Sequence, residues 1–144
     1  MQTIRSTVRV LAGALPLLAF AACAQPTDVD RRPVEFRLAP RLANTPPFSA
    51  ASTAPGTMTV DGVIEYGGCQ MPKPVAVVRG DLLLLQVWLV TTSRGGCPDI
   101  LYNVMYQATI GGLEPGTYHL RVEHAADSGT QGPVLRHEQD VTVQ

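Results

Sequence analysis

From residue 57 onward, apolar and polar residues alternate in short runs separated by turn residues. Met58, Val60, Ile64 and Tyr66 share one parity, interrupted at Asp61-Gly62, and Gly67-Gly68 ends the run. Pro74 to Val78 is a short β-branched run closed by Arg79-Gly80-Asp81, and Leu82 to Thr92 is a long apolar one. Tyr102, Val104, Tyr106, Ala108 and Ile110 alternate against Asn103, Gln107 and Thr109. Tyr118, Leu120 and Val122 alternate against His119, Arg121 and Glu123, and Val134 to Val143 closes the chain. A period of two marks strands. Several short strands at this spacing predict a sandwich or barrel. No helical period runs for ten residues in this part. The expected fold class is all-β, a single small antiparallel β-sandwich over residues 57–144.

The first 56 residues read differently. Arg5 and Arg9 precede an uncharged apolar run from Val10 to Ala22, and small residues follow around Cys23. This is the layout of a secretory signal peptide, and the run is too short for a stable membrane span. Phe20-Ala21-Ala22-Cys23 resembles the lipobox of bacterial lipoproteins, with Phe20 where that family usually has Leu. The resemblance implies lipidation of Cys23 and cleavage before it. A second reading is cleavage after Ala22-Cys23-Ala24, which leaves a soluble chain starting at Gln25. Residues 25–56 then carry six of the twelve prolines among Ala, Ser and Thr. Such a stretch buries too little to offset its chain entropy and is expected to be a tether, with a reach of about 30 Å. Within it, Val34-Glu35-Phe36-Arg37-Leu38 alternates and is a candidate edge strand.

One local motif is sharper. Leu113-Glu114-Pro115-Gly116-Thr117-Tyr118 resembles the strand–loop–strand turn of immunoglobulin-like and fibronectin-type sandwiches. The resemblance implies a tyrosine corner: Pro115-Gly116 turns the chain, the Tyr118 ring enters the core, and its hydroxyl bonds back upstream. It implies a fold, not an activity.

Composition narrows the function. Only 16% of the 144 residues are charged and 45% are hydrophobic, which excludes an ordinary disordered chain. Lys73 is the only lysine, the arginines are scattered and the net charge is -1, so nucleic acid is not an expected partner. In an exported chain Cys69 and Cys97 are free to pair, leaving Cys23 to processing. Such a bridge would staple the Gly-rich turn before one strand to the Gly-rich turn after the next.

Candidate chemistry is sparse. No Gly-x-Ser-x-Gly elbow is present, oxidative pairing would remove the thiols, and the carboxylates are dispersed. No catalytic residue and no cofactor is expected. His119, His124 and His137 lie on the last two expected strands, where two could approach each other and offer imidazoles to Cu or Zn. The leading expectation is an exported envelope lipoprotein, anchored to a membrane through Cys23, that binds an envelope or extracellular protein or plays a structural part. The alternatives are a periplasmic Cu/Zn-binding protein, and an inhibitor or an enzyme of unspecified type.

Overall fold

The structure is a computed structural model that describes residues 30–41, 44, 46–93, 95–127 and 132–144. The expected leader, Cys23 and the start of the expected tether lie outside the described residues. Nine strands are described: β1 Asp30–Arg32, β2 Val34–Pro40, β3 Phe48–Ala54, β4 Thr57–Gly67, β5 Gln70–Arg79, β6 Leu82–Thr91, β7 Leu101–Ile110, β8 Gly116–Ala126 and β9 Val134–Val143. They form a five-stranded sheet in the order β1-β5-β6-β8-β9 and a four-stranded sheet in the order β2-β7-β4-β3.

The all-β sandwich is therefore what the chain forms, and the alternation explains why. Met58, Val60, Ile64, Tyr106, Ala108 and Ile110 of the smaller sheet meet Leu83, Leu85, Val87, Leu120, Val122 and Val143 of the larger, each at most 2% exposed. Each sheet has one apolar face, and only the other sheet can cover it.

The expected tether is corrected. From Asp30 on, its sequence is built into the sheets as β1, β2 and β3. Val34, Phe36, Phe48 and Ala50 pack on the core, and Phe36 stacks on Tyr106 with ring centroids 5.2 Å apart. Alternation decides here, because one inward residue in two is enough to hold an edge strand. The prolines fall where edges tolerate them. Pro33 marks the point where the chain leaves one sheet, with Arg32 paired to Ala76, and joins the other, with Val34 paired to Ile110. Pro55-Gly56 makes the β3–β4 turn, where Gly56 adopts a φ of 66°.

A second correction concerns direction. All strand pairs are antiparallel except β6 and β8, which run parallel. The chain leaves the larger sheet after β6, descends through the smaller one as β7, and re-enters the larger sheet where β6 began. A single intervening strand thus makes the crossover that a parallel pair requires. The immunoglobulin order of four and three strands is not reproduced.

The turn resembling a tyrosine corner has the expected bonds. The Tyr118 hydroxyl donates to the Glu114 carbonyl at 3.0 Å and accepts from the Glu114 N–H at 3.1 Å, with the residue 7% exposed.

The chain crosses between sheets at β1–β2, β4–β5, β6–β7 and β7–β8, and the crossings are tied in pairs. At one end Gly111 N–H donates to the Pro33 carbonyl at 3.1 Å, and Arg32 donates to the Gly112 carbonyl at 2.6 Å. At the other end Cys69, between β4 and β5, is disulfide-bonded to Cys97, between β6 and β7, with Cα atoms 5.3 Å apart. Thr92 donates to the Cys69 carbonyl through both N–H and hydroxyl, at 2.8 and 2.9 Å. Gly68 lies so close to Pro98 that a Cβ there would stand 2.7 Å from the proline Cγ.

Closing this loop, with a sequence separation of 28, stabilises the fold by about 3.6 kcal/mol in the chain-entropy account. Denaturant midpoints with and without reductant should differ by about that amount. A shift below ~1 kcal/mol would show that the other contacts at this end hold the crossings alone.

Candidate functional site

Burial along the strands is graded. At the Pro33 end Ile110, Leu113, Tyr118 and Val143 are buried, with Val34 and Val78 partly buried beside them. Toward the disulfide end Tyr66, Leu89 and Val104 are only partly buried. A cleft of about 590 Å³ opens there, reaching both sheets. Phe48, Ile64 and Leu89 give it an apolar wall, Arg41 and Arg136 supply cations, and Asn103 and Glu65 complete the rim with Pro47 and Val63.

His124 also lines the cleft and is 8% exposed. It lies on the inward parity of β8, continuing Tyr118, Leu120 and Val122. Its Nε2 is 3.2 Å from the Tyr106 hydroxyl, which is itself buried. Burial pushes the Tyr106 pKa up, so the hydroxyl keeps its proton. Burial, reinforced by the charge of Arg136, pushes the His124 pKa down to about 4. The imidazole is thus neutral near pH 7 and competent to accept a hydrogen bond from the Tyr106 hydroxyl at Nε2.

Glycine makes room for this pair. A Cβ at Gly62 would overlap the Tyr106 Cζ. The interruption at Asp61-Gly62 is therefore no break in the strand: β4 runs straight through it, and the missing side chain admits a ring from β7.

Arg136 reaches the cleft through a register shift. Val122 of β8 faces His137 of β9, but Glu123 faces Leu135, so Arg136 is the extra residue of a β-bulge. Bulges re-aim side chains, and this one sets Arg136 beside the inward-facing His137. Phe48 stands between the two inward histidines. Its ring is stacked on His137, with centroids 5.5 Å apart, and tilted against His124 at 6.0 Å. His137 Nε2 is 3.2 Å from Gln139 Oε1, and Gln139 donates to the Ala50 carbonyl at 3.2 Å, joining β9 to β3 across the open side of the sandwich.

The expected histidine cluster is corrected by parity. His119 is an odd number of residues from His124 on one strand and occupies the outer face. There its Nδ1 lies 2.8 Å from Asp140 and its Nε2 3.5 Å from Glu138. The Asp140 hydrogen bond, opposed by desolvation and helped by Glu138, holds its pKa above 6.5. Arg121 continues this outer network to Glu138 at 3.0 Å and Glu123 at 3.6 Å. His124 and His137 share the inner side without His119. Among the described residues, no group of three or more His, Cys, Asp or Glu side chains is placed to hold a metal ion. Pro115, Gly116 and Tyr118 stand at the opposite end and serve the turn.

The sequence reading missed Tyr106, Gly62, Phe48 and Arg136 as site residues. Only Gly62 carried a signal: a glycine at an inward position of a strand marks a close approach. Comparison with protein-family models, curated proteins and solved structures finds no match to this chain.

Two measurements check the geometry. Gly62→Ala should cost about 1–3 kcal/mol by overpacking, whereas Gly116→Ala, facing open space, should be near neutral. Acid should act through His124. Between pH 6.5 and 4 the unfolded chain binds a proton there that the folded chain refuses. This stabilisation is complete above 6.5 and lost as pH falls through 4, about 3 kcal/mol in all. His119 has the opposite sign: its contribution is present below 6.5 and lost as pH rises. Urea midpoints at pH 7 and 4.5 should therefore fall less in His124→Gln than in the wild type. Equal falls would remove His124 from the account.

Proposed function

We propose that the chain is an exported protein of the bacterial cell envelope, a non-catalytic binding module anchored to a membrane through a lipid on Cys23. Its leader, with Arg5, Arg9 and the apolar run to Ala22, supports export, and the lipobox-like Phe20-Ala21-Ala22-Cys23 supports the anchor. The observation that carries the reading is the Cys69–Cys97 bond, because structural disulfides persist where the compartment is oxidising. The cleft supports binding: it is concave, partly apolar and equipped with a few polar groups, as ligand sites are. The partner is an envelope or extracellular component rather than a nucleic acid.

The test is the intact mass of the protein in membrane and soluble fractions. The expected result is a membrane-bound chain beginning at a diacylglycerol-modified Cys23. A soluble exported chain beginning at Gln25 would replace the anchor with periplasmic or secreted release. An uncleaved cytoplasmic chain with free Cys69 and Cys97 would overturn the reading.

A further inference from the structure

We propose that the cleft at the disulfide end binds a small organic monocarboxylate with a ring-sized apolar body, Arg136 taking the carboxylate and the wall of Phe48 and Leu89 taking the body. The proposal deepens the binding-module reading and rests on it.

The charge of the site is unbalanced. Among the described residues Arg136 forms no ion pair; the arginines that do are Arg32, Arg37 and Arg121. Arg41 makes one long hydrogen bond, 3.4 Å to Asn103. Glu65 is the only carboxylate in the described lining, against two guanidiniums, so one positive charge is left over. His124 does not alter that count near pH 7, since burial and Arg136 keep it neutral. A single anionic group completes the balance, whereas a doubly charged phosphate exceeds it. A guanidinium presents paired N–H donors that match a planar carboxylate.

The rest of the site selects the body. Phe48 is held in place from behind by His137, so its ring is a fixed apolar surface. Leu89 and Ile64 continue that surface into the sandwich. The cleft volume of about 590 Å³ falls within the range of small-molecule sites, roughly 300–1,000 Å³. His124, paired behind the lining with the Tyr106 hydroxyl, adds a neutral polar group to the wall, so the body remains uncharged there.

The bulge gives the arrangement its reason. Without the extra residue, Arg136 would alternate away from His137 onto the outer face, as Glu138 and Asp140 do. The register shift moves one cation from the solvent side of an edge strand to the mouth of the cleft.

The experiment is an NMR titration of the purified, oxidised protein, observing the histidine ring signals. The probes are 3-phenylpropionate, its amide and acetate. The expected result is saturable, sub-millimolar binding of 3-phenylpropionate that shifts the His124 and His137 signals and leaves His119 still. The amide and acetate should each bind at least tenfold more weakly. Arg136→Gln should weaken the acid at least tenfold and Arg136→Lys less. Phe48→Leu should weaken it severalfold, and Arg37→Gln, on the outer face of β2, should have no effect. The unshifted His119 signal reports that each variant keeps its fold. The proposal is overturned if the amide binds as well as the acid, if Arg136→Gln binds as well as the wild type, or if no probe binds at 10 mM. Location is read separately by mass. An exported chain that binds no acid refutes the ligand alone, and a chain that binds the acid without export refutes the export reading alone.

Discussion

One chain makes both layers of this sandwich, and it crosses between them four times. A crossing carries backbone groups that no ladder satisfies, so it is the place where a two-sheet structure comes apart. Each crossing here is fixed to another. The β1–β2 switch at Pro33 and the β7–β8 turn hold each other through Gly111 and Arg32. The β4–β5 and β6–β7 crossings hold each other through Cys69 and Cys97. The parallel β6–β8 pair is a result of this arrangement: one strand of the opposite sheet takes the place usually filled by a helix.

The two ends of the sandwich consequently do different work. At the Pro33 end hydrogen bonds join the crossings beside the buried Ile110, Leu113 and Tyr118. At the disulfide end the core thins, a cleft opens, and a neutral histidine and a protonated tyrosine are buried at its base. Buried polar groups of this kind weaken a small core unless they are paired and held. The covalent tie lies at this end, beside the cleft and its buried polar pair. Among the described residues no helix is long and apolar enough to cross a membrane, and the sheets alone provide the framework.

Much of this was legible in the residues. The parity of Met58, Val60 and Ile64, and of Tyr118, Leu120 and Val122, names the core directly, because each strand has one covered face. The cysteine pair followed from two thiols that each lie in a Gly-rich turn. Within the expected tether, 25–56, alternation marks Val34–Leu38 as a candidate edge strand, which β2 bears out, whereas proline content hides β1 and β3. Edge strands need few inward side chains, so composition misleads there. Parity alone separates His119 from His124, since an odd spacing on one strand puts them on opposite faces. Arg136 was beyond reach: its direction depends on a register shift between β8 and β9, which belongs to the pairing and not to either strand. Phe48 and Tyr106 meet the histidines only across the two sheets.

Because the first described strand begins at Asp30, the described domain starts seven residues after Cys23. Fully extended, those residues span about 24 Å, so an anchor at Cys23 would hold the domain against the bilayer rather than on a long leash. Asp30 pairs with Val78, near the Arg79-Gly80 turn, and so enters the sandwich at the end opposite the cleft. A domain tethered this way would stand on its Pro33 end, within one domain length of the lipid headgroups. Its disulfide and its cleft would face outward, toward whatever diffuses past the membrane surface.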